Sequence, residues 1–306
     1  MNNKTVGVII TCYNMSDYIE QAIRSVVNQT YKDVRIYIVD DKSTDGSQVI
    51  VQNLANELND RFVSQVFGKG EYFVRVLWHE KNMGAGQARR TGINQALIDG
   101  CNWIMTLDAD DWLDRDFIES LVAKANETDA DIVSGGITVE RGEGYYEATC
   151  YGDVITEGMD RVTKFWGERV VFMNNKIIHR SVAEKVPYCT RRFIEDTPTI
   201  IPMLYHANKV AYCKNVGYHY RMQDDSLTHT SSPLKWAIYR ALCADDLMSF
   251  FEQQEDGEMF LKTIPMGVSF NQQLQILKSL KPTKKDVEPY ADDFADLGCR
   301  IIKRLN

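Results

Sequence analysis

"VGVIITCYNMSDYIEQAIRSVVNQTYKDVRIYIVDDKSTDGS" (residues 6–47) decides the fold. Its first seven residues form a short β-branched run without polar alternation, the pattern of a parallel strand buried on both faces. Ile19, Ala22, Ile23, Val26 and Val27 then recur at helical spacing, with Ser16 or Asp17 placed to cap that helix. "VRIYIVD" is a second strand and ends on the paired acids Asp40 and Asp41. Strand, helix and strand joined by short links make a right-handed parallel unit.

The unit repeats downstream. Val51, Leu54, Ala55 and Leu58 mark a second helix; "YFVRVLWHE" (72–80) is a third strand, "NMGAGQARRTGINQALIDG" (82–100) a turn and helix, and "NWIMTLD" (102–108) a fourth strand. A helix from near Asp114 leads to "ADIVSGGITV" (130–139), a fifth strand. The expectation is an α/β fold with a mostly parallel sheet flanked by helices. Beyond residue 140 the pattern loosens into an extended segment or hairpin (143–153), a strand over 170–180, a helix past Pro198, and short strands at 209–213 and 216–222. From Pro233 the apolar spacing is helical, through Leu234, Ala237, Ile238, Ala241 and Leu242 to Phe294, Leu297, Ile301 and Leu305. The expected boundary divides an α/β region, 1–230, from a C-terminal helical extension, 231–306.

Composition narrows the function classes. The 306 residues carry a formal net charge of −8, which argues against a duplex nucleic-acid partner and repels anionic substrates unless a cation intervenes. Seven scattered cysteines with no C-x-x-C pair fit reduced thiols of a cytoplasmic protein. The opening residues lack a signal-peptide apolar core, and no run approaches the roughly 20 apolar residues that span a bilayer. A soluble, cytoplasmic protein is expected.

The fourth strand runs into "LDADDWLDRD", placing Asp108, Asp110, Asp111, Asp114 and Asp116 close together. Ligands bind beyond the carboxyl ends of parallel strands, and two strands here end on acids. Asp111 or Asp114 could cap the next helix. A cap needs one oxygen, however, whereas D-x-D presents the hard oxygen ligands that a divalent cation requires when it must also hold phosphate.

Taken in order, these segments resemble family 2 glycosyltransferases. Residues 6–47 are similar to the family's opening, "EKNMGAGQARRTGINQAL" to its N-x-G-x-x-x-A-R-N-x-G segment, "LDADD" to its D-x-D, "FIEDT" to its E-D motif, and "YHYRMQDDSLTH" to its Y-R…S-(I/L)-T stretch. Arg90 stands where the family has Asn, and Thr11-Cys12 replaces the commoner Pro-x. The resemblance implies a GT-A fold, with a Rossmann-like nucleotide-binding half (1–111) and an acceptor-binding half (112–230) sharing one continuous sheet. It implies an inverting transfer from a nucleotide diphosphate sugar, expected to be UDP-linked, to a hydroxyl acceptor in glycan or polysaccharide synthesis. Mn2+ or Mg2+ is the expected cofactor, held by Asp110 with Asp108 and His219 as further ligands. Asp108 is expected to hydrogen-bond the ribose or sugar, or to help with the metal.

By the same resemblance Tyr13 stacks on the base, beside Thr11 and Asn14, and Asp41 accepts the uracil N3–H. Asn82, Gly84 and Ala109 belong to the nucleotide-sugar site, Arg89 reaches the base or diphosphate, and Arg221 clamps the diphosphate as a lid over 222–232 closes. Asp196 is the expected general base, supported by Glu195. From the residues alone, "EDTP" also reads as a plain helix start, with Asp as cap and Pro198 in the first turn.

Other classes fit less well. "MGAGQA" lacks the third glycine of a dinucleotide fingerprint, and Arg89 stands in its place. A nucleotidyltransferase would carry a glycine-rich basic loop after the first strand, which "TCYNMSDY" lacks. A non-catalytic nucleotide-sugar or carbohydrate-binding relative of the same fold is the remaining alternative. "DLGCRIIKRLN" (296–306) has an apolar face beside Arg300, Lys303 and Arg304, open to plain packing, a homodimer interface or peripheral membrane contact.

Overall fold

The computed structural model describes residues 5–305 apart from 67–72, 142–143, 149–154, 159, 161, 163–171, 215–216, 224–230 and 264–269. The anticipated units form in order: β1 (Val6–Cys12), α1 (Ile19–Val27), β2 (Val34–Asp40), α2 (Ser47–Val66), β3 (Val74–Trp78), α3 (Ala85–Ile98) and β4 (Trp103–Asp108). Neither Ser16 nor Asp17 caps α1; its cap position is Tyr18, with no side-chain bond. β5 (Trp112–Leu113), α4 (Phe117–Thr128), β6 (Ile132–Ser134), β7 (Ile137–Arg141), β8 (Gly144–Ala148), β9 (Ile155–Glu157), β10 (Lys176–His179) and α5 (Arg180–Ala183) follow. Then come α6 (Thr197–His206), β11 (Lys209–Tyr212), β12 (Tyr218–Arg221), α7 (Pro233–Phe251), α8 (Gly257–Thr263), α9 (Phe270–Leu280), α10 (Lys284–Val287), a 3-10 turn and α11 (Ala291–Leu305).

Eight strands form the main sheet in the order β3-β2-β1-β4-β10-β6-β11-β9. β3, β2, β1 and β4 are parallel, and β10 runs antiparallel between β4 and β6. This one sheet draws strands from both 1–111 and 112–230, as the resemblance implied, and a smaller four-stranded sheet accompanies it. Residues 130–139 supply β6 to the main sheet and β7 to a second sheet of order β5-β12-β7-β8. The break falls at Gly135–Gly136, where the backbone lacks side chains to hold one straight strand.

β1 is buried on both faces, as its unbroken apolar run requires. Val8 and Ile10 pack with α1, α2 and α4 residues, whereas Ile9 packs with residues of α3, α6 and α7. Each such side chain contributes about 1.5–3 kcal/mol when fully buried. Cys243, Leu247 and Phe251 of α7 join the second of these clusters, so the C-terminal helices are seated on the α/β region. Among the described residues no helix is long and apolar enough to cross a membrane. In register, Thr11 lies opposite Asp108 and Cys12 opposite Asp40, so the acid-bearing strand ends meet at one sheet edge.

Candidate active site

At that edge the β1 and β2 ends turn sharply, with positive φ at Asn14 (53°) and Lys42 (68°). Asn14 Oδ1 accepts the Thr44 N–H at 2.7 Å, tying the two turns together. Tyr13 is 44% exposed beside them, an open aromatic face and not a core ring. Asp40 is buried and accepts the Ser43 N–H and the Gln48 amide, both at 3.0 Å, so it orients the turn. Asp41 is also buried: Oδ1 meets His79 Nδ1 at 2.7 Å and accepts the Met83 N–H at 2.8 Å, while Oδ2 accepts the Gly84 N–H at 2.7 Å.

Four charges converge beneath. Arg89, buried on α3, donates through Nη1 to Glu195 (2.5 Å) and Asp196 (2.7 Å) and through Nη2 to Asp108 (3.0 Å). The D-x-D acid and the E-D pair, 87 or more residues apart in the chain, are thus joined by one guanidinium. Thr11 and Asn174 complete Asp108, donating to Oδ1 at 3.3 Å and Oδ2 at 2.8 Å. Burial alone would raise Asp108, but Arg89 and these bonds outweigh it and hold the carboxyl below its ordinary value. Burial likewise opposes the charge on Arg89, and its three carboxylates overcome that and raise it.

Asp196 stands at the cap position of α6, with Pro198 in the first turn, as a plain helix start requires. Its side chain nevertheless makes no capping bond. Oδ1 is on Arg89, and Oδ2 accepts the Met173 N–H at 3.4 Å. Burial pushes Asp196 up to about 6, with Glu195 and Asp108 adding to the rise and Arg89 opposing it. The residue before the pair, Ile194, holds φ 55°, a strained conformation for a β-branched side chain.

The 189–195 segment lies directly on the start of α3. Gly84 has φ 90°, and a Cβ there would come within 2.8 Å of Arg192 Cγ. At Gly86 a Cβ would meet the Cys189 carbonyl at 2.5 Å and that of Arg191 at 2.8 Å. Arg192 also donates to the Asn82 carbonyl at 2.8 Å. Asn82 and Gly84 therefore shape the contact between the two motif-bearing segments. Arg90 is exposed.

Ala109 is buried, and Asp110 lies half-buried beyond it. Asp110 Oδ2 accepts from Gln223 at 3.2 Å, and burial followed by the Asp108 charge pushes its carboxyl up to about 6. Asp111 is no helix cap. It accepts the Tyr218 hydroxyl at 2.5 Å and the Arg221 N–H at 2.9 Å, and burial beside Asp110 and Asp108 raises it well above its ordinary value. The cap position of α4 is Asp116, with no side-chain bond.

The Arg221 guanidinium lies over the rings of Tyr18 (4.9 Å) and Trp112 (4.6 Å) and donates to the Asp110 carbonyl at 3.0 Å. His219 stacks on the same Trp112 ring; its Nδ1 meets Glu140 at 2.9 Å and its Nε2 meets Asp114 at 3.0 Å. Both nitrogens are therefore engaged away from Asp108 and Asp110. Among the described residues no group of three or more His, Cys, Asp or Glu is arranged to hold a metal ion. Most of the expected lid, 224–230, lies outside the described residues.

Two residues beside the site escaped the motif reading, Asn174 and the buried Lys176. Their only signal was a polar "NNK" breaking the apolar pattern of 170–180.

Known proteins resemble this chain in sequence and in fold. A family model described as glycosyl transferase family 2 matches residues 7–187. Glycosyltransferase GlyG of Streptococcus pneumoniae is 27% identical over 306 residues, covering 95% of this chain and 94% of its own. The chain also matches GlyA of that organism at 26% identity, covering 76% of this chain and 32% of that larger protein. Among solved structures, Staphylococcus aureus TarS 1-349 in complex with UDP-GlcNAc superposes with a TM-score of 0.65 at 17% identity, over 96% of this chain and 80% of that one. The mannosyltransferase PcManGT from Pyrobaculum calidifontis, in complex with GDP-Man and Mn2+, gives 0.55 at 14% identity, covering 95% and 79%.

Proposed function

The chain belongs to glycosyl transferase family 2, and on that premise we propose that it transfers a sugar from a UDP-linked donor to a hydroxyl acceptor with inversion at the anomeric carbon. The observation that carries this reading is Arg89 holding Asp108 on one side and Glu195 with Asp196 on the other. One guanidinium thus joins the acid assigned to the donor side to the pair assigned to the acceptor side. The TarS complexes with UDP and UDP-GlcNAc support the choice of donor.

Tyr13 supplies a face for the base. Asp41 Oδ2, which takes one bond from Gly84, offers a lone pair to a pyrimidine N3–H, a hydrogen that cytosine lacks. Asp108 remains ionised and meets the ribose or sugar hydroxyls. Asp196 accepts the proton of the attacking hydroxyl; raised to about 6, it is ionised at neutral pH yet basic enough for the task. Glu195 and Arg89 hold it in place.

Among the acids, Asp110 best fits a divalent cation. It has a single side-chain bond and, among the described residues, no salt bridge, and the Arg221 charge offsets its burial only in part. Asp108 has donors on both oxygens and His219 partners on both nitrogens, so the metal role centres on Asp110. Mn2+ or Mg2+ bound there supplies Lewis-acid neutralisation of the departing diphosphate. The test is release of nucleoside diphosphate from a panel of nucleotide sugars, with and without Mn2+. UDP-sugar turnover that depends on a divalent ion is expected; turnover unaffected by chelation would remove the metal role of Asp110.

A further inference from the structure

Lys176 has no exposed surface and, among the described residues, no salt bridge. Lysines are almost never fully buried without a paired charge. Its ammonium donates instead to three neutral oxygens, the Phe172 carbonyl at 2.5 Å, the Asn174 carbonyl at 2.7 Å and Asn175 Oδ1 at 2.7 Å. That is one acceptor for each N–H. All three oxygens lie in residues 172–175, so the cation staples a tight bend in which Asn175 holds φ 58°. The bend is tied to β6 through Asn175 Nδ2 on the Gly135 carbonyl at 2.6 Å and the Gly135 N–H on the Asn175 carbonyl at 2.8 Å.

The bend touches both acids of the cavity. Asn174 donates to Asp108 Oδ2 at 2.8 Å, with its own oxygen fixed by Thr106 at 2.9 Å. The Met173 N–H faces Asp196 Oδ2 at 3.4 Å. Burial pulls the Lys176 ammonium down to about 7, and the Asp196 charge partly offsets that. Keeping this ammonium charged while buried carries a desolvation cost that an apolar side chain would avoid.

We propose that Lys176 and Asn174 are positioning residues: the buried ammonium pins the 172–175 bend so that Asn174 sets Asp108 while the same bend meets Asp196. The inference rests on the reading of Asp108 and Asp196 as donor-side and acceptor-side acids. The two residues act as one device, with Lys176 shaping the bend and Asn174 delivering its bond.

The test uses Lys176→Met, Asn174→Leu and the double variant in the full chain. In the free protein, exchange of the Asn174 side-chain amide is followed by NMR. Protection should be present in the wild type and fall by roughly tenfold or more in Lys176→Met as the bond to Asp108 opens. Protection retained in that variant overturns the proposal. For nucleoside diphosphate release, each single variant should lower kcat at least about tenfold, with affinity for nucleoside diphosphate within about threefold of wild type. The double variant should be no more than about threefold worse than either single one. Unchanged kcat, or losses that multiply, overturns the proposal, because a merely structural lysine would act independently of Asn174. If Lys176→Met does not fold, Asn174→Leu decides by the same split between kcat and affinity. If the wild type releases no nucleoside diphosphate from any nucleotide sugar, the functional reading fails, and amide protection alone decides this one.

Discussion

At the residue scale the chemistry rests on unequal treatment of like groups. Asp108 is held ionised by Arg89, Asn174 and Thr11, whereas Asp196 and Asp110 are each pushed up to about 6 by burial. Separating the proton affinities of neighbouring carboxylates is how one cavity divides their roles. Replacing Asp196 with Asn keeps the shape and removes the proposed base. Transfer should fall about 10²–10⁴-fold, with nucleoside diphosphate affinity nearly unchanged by calorimetry. Because the base must be ionised, kcat/KM for the acceptor should rise with pH through about 6 and then level, as steady-state rates between pH 5 and 8 will record. A profile flat down to pH 5 would contradict the assignment. Arg89 is bonded to three acids at once, so Arg89→Met leaves buried charges unpaired and should cost about 3–5 kcal/mol in urea unfolding.

At the element scale, the start of α3 and the segment leading into α6 form a single packed joint. A methyl group at Gly86 would sit 2.5 Å from the Cys189 carbonyl. Gly86→Ala should therefore destabilise the fold by about 1–3 kcal/mol in urea and lower kcat by moving Glu195 and Asp196. The units of β1 to β4 were legible because unbroken apolar runs and helical spacing are local signals. The pairing of Asp108 with Asp196 was legible only through ordered motifs, since the two residues are far apart in the chain. Other features had no local signal. The division of 130–139 between two sheets depends on Gly135 being bonded by Asn175, a partner 40 residues away. His219 and Arg221 both lie against the Trp112 ring, a contact between segments more than 100 residues apart. Asn174 and Lys176 read as ordinary polar residues until β10 carried them under β4.

Across the whole molecule, charge as well as packing holds the C-terminal helices: α11 is bonded to α7, and Asp246 of α7 to Arg191 of the α/β region. Arg300 and Arg304, whose helix was open to packing, dimer or membrane contact, turn inward to the buried Asp245, and Arg300 also reaches Asp246. Ala295, Asp296, Cys299, Ile302 and Lys303 are among the residues this helix leaves exposed. Arg304→Met should lower stability by about 1–3 kcal/mol in urea unfolding, since it removes one of the two guanidiniums on Asp245. The central claim is that the strand end of β4 and the start of α6 serve one reaction in one cavity. A crystal structure of the protein with UDP and Mn2+ tests this most directly. The account predicts an anomalous manganese peak on the Asp110 carboxylate, with the diphosphate against it and Asp196 facing the same cleft. Nucleotide and metal bound away from Asp110, with Asp196 outside their cleft, would contradict it.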